Sequence, residues 1–156
     1  MELRKANATT HDQLILKYQM MSNVQLKNIE PKWALAKDEI FDHTLLPEYN
    51  RYLFFLVKTS QLMAIARFNE IDNKVIFSDK PLNNFRIAMI LNRWENNLFV
   101  DPPTIYLPVG TTSYVEFSDG RHRAKLCGLL CHDEIPVAID KEDLQAISKI
   151  LSLTQL

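Results

Sequence analysis

The sequence predicts one α+β domain in which a small mixed sheet carries helices. Three observations predict it. Residues 51–57 and 62–68 are aliphatic and aromatic runs of strand composition, and 85–94 repeats its apolar residues at helical spacing. Residues 115–139 read as strand, turn, helix and strand in succession. At 156 residues the chain has the length of one ordinary domain, and no repeat, low-complexity tract or long linker divides it.

In chain order, residues 1–30 alternate weakly, and Leu14, Ile15, Leu16 and Tyr18 fit a first strand or a short helix equally. Residues 31–41 read as a helix: Pro31 suits a first turn, and Trp33, Ala36 or Lys37, Ile40 and Phe41 form an apolar face. Pro47 closes that region. Lys58-Thr59-Ser60-Gln61 between the runs 51–57 and 62–68 reads as a hairpin connection, and 74–77 adds a third strand after Asp72-Asn73, giving an antiparallel meander. After the helix at 85–94, Asp101-Pro102-Pro103 is a rigid break. Short strands follow at 105–109 and 114–117, then a helix from Arg121 to about Cys131 and a strand at 135–139. A closing helix at 141–151 has Leu144, Ile147, Ile150 and Leu151 on one face.

Composition narrows the function classes. The chain is 47% hydrophobic and 24% charged, average values for a globular protein, with a formal net charge of -1. No global field draws it to nucleic acid or a membrane. The N-terminus is polar, without the apolar core of a signal peptide, and no apolar run approaches the ~20 residues that span a bilayer. With Cys127 and Cys131 as its two cysteines, the chain has no disulfide framework and reads as a reduced, cytoplasmic protein with no membrane partner.

The most informative string is Val115-Glu116-Phe117-Ser118-Asp119-Gly120-Arg121-His122-Arg123, followed by Asp133-Glu134-Ile135-Pro136-Val137. A strand feeding directly into a helix gathers the first helical N–H groups, which lack intrahelical partners, where the helix dipole is positive. Anions bind at such ends. Gly120 permits a sharp turn, Asp119 is a good N-cap that has also the chemistry to hold a metal or a ribose hydroxyl, and Arg121, His122 and Arg123 add two fixed cations and one switchable one. Asp119, Gly120, Arg121, His122 and Arg123 are therefore the candidate phosphate or anion site. An N-cap with an Asp119–Arg123 ion pair, four residues apart, would use the same residues with no ligand.

This string resembles the core of the ParB/sulfiredoxin superfamily, in which a strand ends in a Gly-x-x-Arg turn, enters a helix and is followed by an Ile-Pro-Val-type strand. Gly120 and Arg123 match that pattern, His122 matches the sulfiredoxin form, and Ile135-Pro136-Val137 falls at the expected distance. Closer still is the likeness to plasmid fertility-inhibition factors, whose Phe-x-Asp/Asn-Gly-Arg-His-Arg form fits 117–123 throughout. The specific resemblance spans about 101–139. It implies a nucleotide-phosphate site at the turn. Arg121 stands where sulfiredoxin chemistry requires a thiol, which excludes sulfinic-acid reduction. The sequence stops at Leu156 without the helix-turn-helix of partition ParB proteins, so centromere loading is not expected.

Other constellations have plainer readings. Cys127, Cys131, His132 and Asp133 have zinc-ligand chemistry, but the cysteines also fall on an apolar helix face, so no metal is expected. His11-Asp12 and Asp42-His43 read as surface doublets rather than acid–base pairs, and Trp33, Trp94, Tyr106 and Tyr114 as core rather than a base-stacking platform. Asp133, Glu134, Glu142 and Asp143 flank the last long strand as a solvated face, with Asp140 capping the final helix, or as a surface that clamps a partner.

Two functions fit. The first is an inhibitory binding protein with no cofactor, which neutralises a protein partner: a toxin, as an immunity protein, or a transfer-system component, as a fertility-inhibition factor. The second is a nucleotide-binding enzyme using nucleotide and magnesium for NTPase or DNase chemistry. There Arg121 and Arg123 would stabilise phosphoryl charge, His122 would move protons, and Asp119 or Glu116 would hold the ion.

Overall fold

A computed structural model describes residues 2–40 and 50–156, with side chains from Thr10 onward. Its elements are α1 (Glu2–Gln19), α2 (Asn23–Lys27), β1 (Tyr52–Lys58), α3 (Thr59–Ile65), α4 (Pro81–Glu95), β2 (Thr104–Tyr106), β3 (Glu116–Asp119), α5 (Arg121–Leu129), β4 (Glu134–Asp140), α6 (Leu144–Ile147) and β5 (Thr154–Gln155). The fold is a small single-domain α+β arrangement around one mixed sheet of order β3-β2-β4-β1-β5. Among the described strands β2 and β4 pair parallel and the other pairs are antiparallel.

β4 holds the centre because its sequence suits burial on both faces. Ile135, Val137 and Ile139 enter the main core, while Ala138 joins Ala34, Ile40 and Phe54 in a smaller cluster. The main core also takes Ile87 and Leu91 of α4, Leu126 of α5, and Ile147 and Leu151 near the C-terminus. Gly128 lets α5 lie tightly on α3, since a Cβ there would fall 2.5 Å from Met63 Sδ. The N-terminal segment, ambiguous by pattern, is helical over Glu2–Gln19 and Asn23–Lys27. Tyr18, fully buried, donates from its hydroxyl to Glu95 Oε1 at 2.9 Å and so seats α1 on α4.

Four expected elements differ. The hairpin is replaced by a strand running straight into a helix, because β4 and β5 already occupy both edges of β1. Lys58-Thr59-Ser60-Gln61 also lacks the positive-φ residues that a tight hairpin turn demands. The strand expected at 74–77 is irregular: Asp72 Oδ1 accepts the Lys74 N–H, and Asn84 binds both the N–H and the carbonyl of Ser78, so side chains substitute for a ladder. The helix expected at 31–41 is extended over 31–35 and then turns at 36–39, where the Glu39 N–H bonds to the Ala36 carbonyl. Trp33 bridges to Val100, and the N–H of Ala34 bonds to the Val100 carbonyl, so long-range pairing overrides the helical spacing. The helix expected at 141–151 contracts to α6 and loose turns. Asp140 does not cap it: its Oδ1 accepts the Glu142 N–H, and the N-cap position belongs to Asp143. Phe41, Asp42, His43 and Pro47 lie outside the described residues.

Candidate functional site

The turn between β3 and α5 is built on one glycine. Gly120 has φ +89° and is buried against Pro103, where a Cβ would sit 2.7 Å from the Pro103 Cα. Any other residue meets both backbone strain and a clash. Gly120 itself is the helix N-cap, and no side chain caps α5. Asp119 therefore does not act as the expected cap. Its Oδ1 accepts the Gly120 N–H at 2.9 Å, and its Oδ2 pairs with Arg123 Nη2 at 3.3 Å. Arg123 Nη1 reaches back to the Asp101 carbonyl at 3.2 Å. One guanidinium thus ties the helix to the end of β3 and to the segment leading into β2.

Arg121 and His122 face other neighbours. Arg121 makes a loose ion pair with Glu70 at 3.8 Å. His122 is half-buried, and burial, followed by the positive charges of Arg86, Arg121, Lys125 and Arg123, lowers its pKa to about 4. The imidazole is neutral at physiological pH. Lys125, one turn beyond Arg121, is fully buried, and its Nζ donates to Asn83 Oδ1 at 3.1 Å. Burial lowers its pKa against the opposing pull of Asp72. Asn83 in turn donates to Asn84 Oδ1. The five expected anion-site residues share one turn but serve two purposes: Asp119, Gly120 and Arg123 form a latch, while Arg121 and His122 lie among Arg86 and Lys125.

Sequence reasoning missed Lys125, Arg86 and Asn83. Lys125 had a legible signal, since it follows Arg121 by four residues and shares its helical face. Arg86 and Asn83 had none, because they come from α4, about forty residues away in the chain. Also missed was a cleft of about 670 Å³ beside this cluster, lined by Glu70, Asp72, Val75, Phe77, Asp79 and Lys80 among others, with Asn83 at its wall.

The expected partner-binding carboxylates flank β4, one pair towards each end. Asp133 and Glu134 stand at the start of β4, and Glu142 and Asp143 follow its end, ~20 Å away at ~3.3 Å per residue. In the register Glu134 faces Lys58, while Asp140 at the far end pairs with Arg51 at 2.7 Å. The four aromatics make separate contacts rather than one stacking platform. Trp33 meets Trp94 edge-on at 5.2 Å, Tyr106 donates to Glu116, and Tyr114 lies under the Arg67 guanidinium. His11 stacks on Phe85 at 4.2 Å.

Cys127 is in the core, where burial pushes its thiol pKa up to about 12, and Cys131 is exposed. Among the described residues, no three His, Cys, Asp or Glu side chains gather as a metal group, and no helix is long and apolar enough to cross a membrane. Comparison with protein-family models, curated proteins and solved structures finds no match to this chain.

Proposed function

We propose that this chain is an inhibitory binding protein of the ParB/sulfiredoxin type, acting in the cytoplasm on a macromolecular partner such as a toxin or a transfer-system component. The observation that carries the reading is the commitment of Arg123. Its two terminal nitrogens bond Asp101 and Asp119, so the motif's matching arginine serves the turn's shape. Arg121 occupies the position where a thiol nucleophile would stand, and His122 is held neutral among cations. The order β3, Gly120 turn, α5, β4 is compatible with the superfamily core. A protein whose motif is used as scaffold acts through its surface.

The test is stoichiometric. Co-expressed with the product of an adjacent reading frame, the chain should restore growth or block transfer, and purified it should saturate that target near one copy per target. The Arg121→Ala, His122→Ala double variant should retain most of this effect. Multiple turnover on plasmid DNA, or on ATP with magnesium, that the double variant loses would replace this reading with the enzyme.

A second reading has its own support. Arg86, Arg121 and Lys125 surround His122 beside a helix start that no side chain caps, an arrangement that suits a phosphate or nucleotide. A ligand at one hundred times its dissociation constant stabilises by about 2.7 kcal/mol. Phosphate or magnesium nucleotide should then raise the melting temperature by several degrees, and Arg86→Ala with Arg121→Ala should abolish the shift. No shift at millimolar concentrations removes this reading.

A further inference from the structure

We propose that the cleft beside α4 and α5 is a docking pocket for an arginine or lysine side chain, flanked by apolar residues, on a protein partner. The inference rests on the inhibitory reading and names the chemistry of its partner. The charged side chains lining the cleft are three carboxylates, Glu70, Asp72 and Asp79, against one ammonium, Lys80. Val75 and Phe77 supply apolar surface of the kind that covers the aliphatic stem of a long basic side chain. At about 670 Å³ the cleft has room for that side chain and parts of its neighbours.

The wall is fixed before any partner arrives. Asn83 is nearly fully buried, with Oδ1 held by Lys125 and Nδ2 donating to Asn84. Asn84 binds the Ser78 N–H and carbonyl, each at 2.8 Å, which pins the far side of the cleft. Such preorganisation lowers the ordering cost of binding. Two cations adjoin the cleft without lining it: Arg121 pairs with Glu70 at 3.8 Å, and Lys125, bonded to Asn83, lies in the field of Asp72. The Arg121–Glu70 contact is long at 3.8 Å and mostly exposed, so an arriving guanidinium can take Glu70 over at little cost.

The experiment is a titration of the isotopically labelled full chain, followed by amide chemical shifts. The probes are acetyl-Leu-Arg-Leu-amide, its Leu-Glu-Leu counterpart, and spermidine. The arginine peptide should give saturable shifts centred on residues 70–83, with a dissociation constant on the order of millimolar. The Asp72→Asn, Asp79→Asn double variant should weaken it at least tenfold. Asparagine keeps the Asp72 acceptor for the Lys74 N–H, so the turn survives. Lys80→Glu should tighten binding several-fold while keeping the backbone carbonyl that accepts the Asn84 N–H. Equal binding of the glutamate peptide, shifts spread over Asp133 or Glu142, or indifference to the double variant would each overturn the proposal. Spermidine matching the arginine peptide would overturn it in favour of a small-cation site. A chain that still saturates its target but ignores the arginine peptide loses the cleft and keeps the inhibitory reading. One that binds the peptide at 70–83 but turns over DNA or nucleotide keeps the cleft and loses that reading.

Discussion

Arg123 touches three things at once: its own helix, the carboxylate of Asp119 and the carbonyl of Asp101. Removing it takes one donor from each of two acceptors, a loss of about 1–3 kcal/mol. Arg123→Ala is therefore expected to lower the urea midpoint with the slope unchanged. Arg123→Lys should recover less than half the loss, because an ammonium lacks the planar fork that spans two acceptors. Recovery in full would show that charge alone matters at this position. Gly120 makes a sharper demand. Alanine at φ +89° costs about 1–2 kcal/mol in backbone strain, and its Cβ would press on Pro103. Gly120→Ala should lose at least about 2 kcal/mol of unfolding free energy in the same assay. The sequence made Gly120 legible, because few residues other than glycine suit a strand-to-helix turn. The Asp119–Arg123 ion pair was legible too, from its i,i+4 spacing, whereas the passing of the cap from Asp119 to Gly120 was not, since only the turn's geometry decides it.

Elements that depend on local pattern were legible; those that depend on distant neighbours were not. α4, α5 and β4 carry their periodicity within a few turns or residues and appear close to where the sequence put them. The run 62–68 has strand composition, yet strands from the far end of the chain fill the edges it would need; its first four residues coil into α3, and Ala66 only bridges to Val115. The extended path of 32–36 depends on Val100 in the same way. β5 has two residues, too few for any pattern. The end of α5 offers a test at this scale. Cys131 adopts φ +57°, its N–H bonds to the Gly128 carbonyl, and the His132 N–H bonds to that of Cys127, which is the glycine-favouring Schellman termination. Cys131→Gly should stabilise the chain by up to ~1 kcal/mol, the strain relieved less the entropy glycine adds to the unfolded state. An unchanged or lower melting temperature would show that the cysteine makes a compensating contact. α1 is held differently, by Lys17 and Tyr18 converging on Glu95. Glu95→Gln should speed amide exchange in α1 more than in β4, which central burial protects. Equal acceleration in both would mean that α1 and the sheet open as one unit.

Across the whole molecule, the buried titratable groups set the pH range in which the fold is most stable. His122 has a folded pKa of about 4 against an ordinary 6.5, so below pH 6.5 the unfolded chain binds a proton that the native one refuses. Stability then rises with pH between about 4 and 6.5. The shift is worth roughly 2–3 kcal/mol after allowance for partial exposure. Glu95 adds to the same limb. Its hydrogen bond to Lys17 leads the causes that lower its pKa, so its contribution is present above the unfolded value and lost as pH falls through the folded one. The alkaline side is contested. Cys127 holds its proton to about pH 12 in the fold but to about 9 when unfolded, and Tyr18 is raised in the same direction by burial and Glu95. Above pH 9 the native state therefore binds more protons than the unfolded chain, and stability falls. Lys125 opposes this, because burial lowers its pKa and the unfolded chain holds that proton more tightly. Tyr106 is raised as well, first by its hydrogen bond to Glu116, and three raised groups against one lowered group give a net decline. Unfolding free energy measured by urea from pH 4 to 10 should form a dome with its top between about 7 and 9. His122→Gln should make the rise between 4 and 6.5 shallower, leaving the share of Glu95 and of half-buried His132, with the alkaline fall in place, and Cys127→Ala should soften the fall without touching the rise. A His122→Gln profile parallel to that of the parent would mean that the imidazole is freely protonated in the fold. It would also remove the neutral histidine from both readings of the Gly120 turn.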